Sequence, residues 1–269
     1  MPATVEYLVG LRQLCDEHGL LLLFDSVQCG HFRSGRFQSY QRILEDADSP
    51  EAAAFMPDGV SMAKSMGARR RSVVCLCRPP LTRCCRRGRR WCAHWCILGG
   101  REARRSARPR CVGQLWLPGW PHRRSSRGCV GAGMHGTTYG GNPLACAVGH
   151  KVIEIIERDR LEENVRAVGA QLDEGLRALQ SVYPTVIADS RGLGLMRGLV
   201  LHPKDGIAAF AGQEASASAQ FVNKLHEAGM LTVGSGDQVV RLLPPFNTTA
   251  AEAEEALDKI EGVAKIAAG

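Results

Sequence analysis

A chain of 269 residues is long enough to bury a sizeable core and to divide into one larger and one smaller domain. No apolar run approaches the ~20 residues that a membrane-spanning helix needs, which excludes a protein built on such helices. Eleven cysteines and a formal net charge of +7 would point to a zinc or disulfide scaffold and to nucleic acid, but both properties fall in one stretch and describe little of the rest.

The opening residues, MPATVEYLVGLRQLCDEHG, place Leu8, Leu11 and Leu14 on one side of a helix predicted over Val5–His18 and closed by Gly19. Acidic residues and the lack of an apolar h-region or cleavage site set it apart from a signal or transit peptide. Leu20 to Phe24 is a continuous apolar run that stops abruptly at Asp25, the pattern of a buried parallel strand whose carboxyl end borders a site. A glycine-punctuated loop follows, Cys29 to Phe37, and residues 45–57 form a polar connection with a short helix. Gly59 to Ala63 is a weaker strand that delivers Lys64 ahead of Ser65-Met66-Gly67. Two neighbouring strand ends would thus present a carboxylate and an amine to one crevice. Pyridoxal 5'-phosphate chemistry uses that pair: the lysine joins the cofactor aldehyde, and the carboxylate keeps the pyridine nitrogen protonated.

Residues 68–130 have a different composition. They hold eight of the eleven cysteines, all four tryptophans and seventeen arginines, with no lysine and a single acidic residue, Glu102. Their local net charge is +16, so the remainder carries −9 against the whole-chain +7. Three readings compete. A zinc or RNA module would use Cys92, His94 and Cys96 with arginines beside Trp91 and Trp95, but the cysteine spacings do not form paired zinc knuckles. A disordered insertion rarely carries this much cysteine and tryptophan. Translation of GC-rich DNA in the wrong frame, or through an unspliced intron, yields this composition directly and is the reading preferred here.

From Asn142 the pattern turns helical through Leu179, with Pro143 in the first turn and a break expected near Asp159-Arg160. After Pro184 the chain predicts strands over Thr185–Ala188 and Leu195–Leu201 around a tight glycine turn, then a helix over Ala215–Ala228 capped by Gly229. Strands at Leu231–Val233 and Val239–Leu242 follow, and Thr249 N-caps a final helix.

Four ordered motifs carry a family resemblance: FDSVQCG with RSGRFQ, SMAKSMG, HGTTYGGNPLACA from His135 to Ala147, and VVRLLPPFNTT from Val239 to Thr249. Together they resemble the class III pyridoxal-phosphate-dependent aminotransferases, most like the acetylornithine-transaminating members, over residues 1–67 and 133–269. The resemblance implies an α/β chain of PLP-dependent transferase fold type I: a partial large domain with a mostly parallel sheet, plus a small C-terminal α/β domain. Residues 1–67 would be the C-terminal half of the large domain, 68–130 the aberrant segment, 131–158 the end of the large domain and start of a linking helix, and 159–269 the small domain.

The same resemblance assigns roles. Lys64, which alone would read as an exposed lysine after a strand, becomes the cofactor lysine and the acid–base that moves the substrate proton. Asp25 becomes the partner of the ring nitrogen, and burial is expected for it because four leucines precede it. Gln28, otherwise a surface residue, would hydrogen-bond the cofactor's phenolic oxygen. Thr137 and Thr138, which could equally form a helix-entry turn, would bind the phosphate held by the other subunit of a homodimer with a shared active site. Arg241, inside an apolar strand, would grip the substrate carboxylate, and Arg197 reads as structural. The loop departs from the family's Gly-x-Gly-Arg-Thr-Gly at His31 and Phe32, and Ser26 stands where an acidic residue is usual. The Gly-Gly-Gly-Phe-Pro turn expected after the lysine is missing, and relatives begin before Met1, so a fragment with impaired activity is expected. The implied reaction transfers an ω-amino group, most directly from N2-acetyl-L-ornithine to 2-oxoglutarate in arginine biosynthesis, with ornithine or 4-aminobutyrate as alternative donors. No metal, nucleic acid or membrane partner is expected, and the compartment would be cytoplasmic, or the mitochondrial matrix in a eukaryote. The competing class is a non-catalytic zinc- or RNA-binding protein acting through residues 68–130.

Overall fold

The computed structural model describes residues 2–62, 74–77 and 143–269. The chain divides into two compact units: Ala3–His31 with Tyr40–Arg158, and Phe32–Ser39 with Asp159–Gly269 and the first two residues.

In the first unit, α1 (Val5–Glu17) is N-capped by Thr4, whose hydroxyl accepts from the Tyr7 amide at 3.2 Å. Gly19 follows at φ +64 and turns the chain out of the helix, as the sequence predicts. β1 (Leu23–Asp25) pairs in parallel with β2 (Gly59–Met62), placing Leu23 beside Gly59, Phe24 beside Val60 and Asp25 beside Ser61; β3 (Val74–Cys77) adds antiparallel to β2. Two short helices lie between β1 and β2. One, α2 (Ser39–Ile43), has no counterpart in the sequence reading; the other, α3 (Pro50–Ala53), is N-capped by Ser49. Leu8, Leu22, Leu44, Ala52 and Phe55 form the core, and Phe24, Tyr40 and Phe55 meet ring to ring at 5.5–5.9 Å. A buried ion pair ties the layers: Arg12 on α1 donates to Asp58 at 2.7 Å, and the same Asp58 oxygen accepts the Leu22 amide at 2.9 Å. The unit continues into α4 (Pro143–Arg158).

The helical pattern breaks where the sequence expects it. Arg160 sits at φ 51, and α5 (Leu161–Val182) starts afresh, with Arg160's carbonyl accepting from the Glu163 and Asn164 amides. β4 (Ile187–Leu193) and β5 (Met196–Leu201) form a hairpin, then come α6 (Ala217–Glu227), β6 (Val233–Ser235), β7 (Val239–Leu242) and α7 (Ala250–Ala268). The sheet runs β4-β5-β7-β6 with every neighbour antiparallel. Strict alternation sends Leu199, Leu201, Val240 and Leu242 to one face, where they pack with Leu176, Phe221, Leu225, Ile260 and Val263 from the helices. Thr249 and Glu252 close a full capping box at the start of α7. Strand limits shift by a few residues from the sequence reading: β4 continues to Leu193 because pairing with β5 extends through the hairpin, and β6 starts at Val233 where the ladder to Arg241 begins.

Candidate active site

Asp25 ends β1, and its side chain is held from two directions. Its Oδ1 accepts the Val27 amide at 3.1 Å and the Ser61 hydroxyl at 3.2 Å, while the Ser26 amide donates to the Ser61 carbonyl at 2.9 Å. Parallel pairing brings Ser61 alongside, and sequence reading gives no signal for that partner. Oδ2 has no hydrogen-bond partner among the described residues. Asp25 is exposed, which corrects the burial expected from the leucine run. The cause lies in the faces of the strand: successive side chains point to opposite faces and one of them is uncovered among the described residues, so the run alternates, with Leu22 7% exposed and Leu23 61%. Gln28 is half-buried in the turn after β1, and among the described residues its amide makes no hydrogen bond.

Lys64, Thr137 and Thr138, and nearly all of residues 68–130, lie outside the described residues.

Arg241 belongs to the second unit, on β7 opposite Gly198 and Val233. Its Nε is buried with no hydrogen-bond partner among the described residues. It lines a cavity of about 370 Å³ whose other walls include Leu172, Leu231, Pro244, Pro245 and Ala256. A guanidinium beside an apolar cavity is suited to a carboxylate, whose two oxygens match the fork. Arg197 contrasts with it. It donates to Asp173 at 2.6 Å and to the carbonyls of Gly169, Gly192 and Gly194, so its capacity is consumed within the fold.

Sequence reasoning passed over Arg33. It is half-buried, donates to the carbonyls of Leu195 (3.4 Å) and Pro244, and lies 4.4 Å over the Phe246 ring. Burial pulls its pKa down to about 10. The neighbouring departures carry a backbone cost: His31 and Phe32 sit at φ 53 and 64, the left-handed region that glycine fills without strain. Burial also holds His31 neutral, with its pKa lowered to about 4.

A carboxylate at a strand end, with one oxygen fixed and the other open, is the acceptor a protonated ring nitrogen needs, and the Gln28 side-chain amide three residues further can serve a ring hydroxyl. These donor sets fit a pyridoxal ring. The aminotransferase class-III family model matches residues 1–76 and 121–264.

The chain belongs to the class III aminotransferases.

Among its relatives, the acetylornithine aminotransferase of Brucella melitensis is 34% identical over 256 residues, 95% of this chain and 47% of the relative. Among solved structures, ornithine delta-aminotransferase of Plasmodium falciparum aligns with TM-score 0.67 at 20% identity, covering 97% of this chain and 51% of that one. The ornithine aminotransferase of Toxoplasma gondii, with PLP partially occupying its active site, aligns with TM-score 0.65 at 23% identity, covering 97% and 47%. This chain therefore spans about half the length of the relatives it matches. The fold is that of the PLP-dependent aminotransferases, and pyridoxal 5'-phosphate is the cofactor that membership of class III implies.

Proposed function

We propose that this chain carries a PLP-dependent transaminase site acting on an ω-amino group, with N2-acetyl-L-ornithine as donor and 2-oxoglutarate as acceptor. The observation that carries the reading is the Asp25–Ser61 pair, which leaves Oδ2 available to a pyridinium N–H at the end of a parallel strand. The acetylornithine aminotransferase relatives, at 32–34% identity, support the choice of donor. When bound, PLP supplies the electron sink for the bond broken at the amine carbon.

The chain's own residues then have distinct tasks. Asp25 keeps the ring nitrogen protonated by giving it an anionic acceptor, and Ser61 and the Val27 amide hold that carboxylate in place. Lys64 would hold the cofactor through its side-chain amine and would serve as the acid–base for the proton on the substrate carbon bearing nitrogen. Gln28 orients the ring through its hydroxyl. Thr137 and Thr138 donate to the phosphate, across the interface of a homodimer. Arg241 binds the carboxylate shared by donor and acceptor.

Residues 68–130 we read as out of frame or intronic, and the interruption impairs activity. The family match supports a shorter interruption, since it stops at residue 76 and resumes at 121. Genomic DNA around codon 67 should yield a Gly-Gly-Gly-Phe-Pro turn in another frame; uninterrupted coding of the present segment in related genomes would sink this part.

The purified chain mixed with PLP should develop a visible absorbance band well below one per chain, and Lys64→Ala should abolish it; a full band per chain would overturn the impaired-fragment reading. A band of equal yield in Lys64→Ala would overturn the site. With 2-oxoglutarate as acceptor, glutamate formation should be fastest from N2-acetyl-L-ornithine; faster turnover of ornithine would favour the second reading, which the ornithine aminotransferase structures support.

A further inference from the structure

We propose that Arg33 is a positioning residue for Arg241: it fixes the turn Leu243–Phe246 that leaves β7 and, through it, the arginine two residues before that turn. The inference rests on the reading of Arg241 as the carboxylate-binding residue. The turn contains Pro244 and Pro245, which have no N–H to extend the ladder; the Pro245 carbonyl accepts from the Thr248 amide and hydroxyl, while the Pro244 and Phe246 carbonyls take donors from other elements. Arg33 supplies one to Pro244 and also covers the Phe246 ring. Asn164 on α5 supplies two more, donating to the Phe246 carbonyl at 2.8 Å and the Thr248 carbonyl at 2.9 Å. The held turn forms a wall of the cavity that Arg241 lines.

Arg33 is itself fixed by its backbone. The Leu195 amide donates to the Arg33 carbonyl at 3.0 Å, and a Cβ on Gly194 (φ +52) would sit 2.8 Å from that oxygen and 2.7 Å from the Ser34 carbonyl carbon. Arg166 donates to the Gly35 carbonyl at 2.7 Å, and Arg36 pairs with Glu162 at 3.1 Å. A half-buried guanidinium with no carboxylate partner among the described residues gives up part of its hydration, and the turn carbonyls and the Phe246 ring replace it. Its fork and flat face serve two points of one turn at once, which a lysine cannot do. Arg241, whose Nε finds no hydrogen bond among the described residues, has its position set by backbone and walls instead of by partners.

The test uses the full chain loaded with PLP and titrated calorimetrically with 2-oxoglutarate. Arg241→Gln should weaken binding about a hundredfold. Arg33→Met should weaken it about tenfold while the yield of the PLP absorbance band stays unchanged, and Arg33→Lys should recover little of the loss. Asn164→Ala, which loosens the same turn without removing a charge, should weaken binding severalfold and decides the matter if Arg33→Met does not fold. Wild-type affinity in Arg33→Met, or in Asn164→Ala when Arg33→Met is insoluble, overturns the proposal provided Arg241→Gln is impaired. Unchanged binding in Arg241→Gln removes the carboxylate reading itself and the positioning role with it.

Discussion

The two units are held together by different means. The second has a four-stranded antiparallel sheet with one face fully covered by helices, so Leu176, Leu199, Leu201, Phe210, Phe221, Leu225 and Val240 are all completely buried. Among the described residues the first has three short strands and a small core, and it leaves Leu20 ahead of β1 and Leu23 on it more than half exposed. Among its described polar ties is the Arg12–Asp58–Leu22 junction, in which both side chains are buried. Apolar packing is non-directional and tolerates imprecision; a buried ion pair stabilises only when every partner is present.

That contrast can be broken by mutation. Phe221→Ala should cost the second unit about 3–5 kcal/mol, from lost transfer energy plus the cavity left behind, read as an earlier denaturant midpoint for that unit's transition. Asp58→Ala strands Arg12 without its buried partner and should cost the first unit about 3–4 kcal/mol while leaving the Phe221-dependent transition in place. If both variants shift one common transition, the units do not unfold separately and the comparison fails.

A smaller effect depends on pH. Burial depresses the folded-state pKa of His31 to about 4, below the unfolded value of about 6.5, so the unfolded chain takes up the proton first as pH falls. Stability is complete above about pH 6.5 and declines by up to about 3 kcal/mol towards pH 4. His31→Asn, which tolerates the left-handed backbone, should flatten that window; an unchanged pH profile in the variant would assign the decline elsewhere. Smallest is Thr249→Ala, which opens the capping box of α7 and should cost about 1 kcal/mol, confined to the second unit.

Where local signals agreed, the chain was readable before folding. The break at Arg160, the Thr249 cap, the Gly19 exit and the apolar faces of α5 and α7 each follow from residues within a turn or two of one another. The leucine run misled on burial because its length says strand but not which neighbours cover it; a strand covered on both faces and one covered on a single face can share the same letters. Asp25 was legible as a site residue and Ser61 was not, since the pair exists only through strand register. Arg33 was the hardest to see. Its partners are 162 and 211 positions away, and RSGR in a glycine loop carries no mark of where its guanidinium will go.

The amino-acid order alone indicated most of the helices, the Gly19 and Thr249 caps and the family, because those depend on periodicity and on contiguous motifs. Folding in three dimensions decided that residues 32–39 join the C-terminal unit, that Asp25 is exposed yet gripped by Ser61, and that the Pro244 turn hangs on a distant arginine. Those outcomes are set by which backbone donors and acceptors are left without a local partner, a quantity that no window of sequence contains.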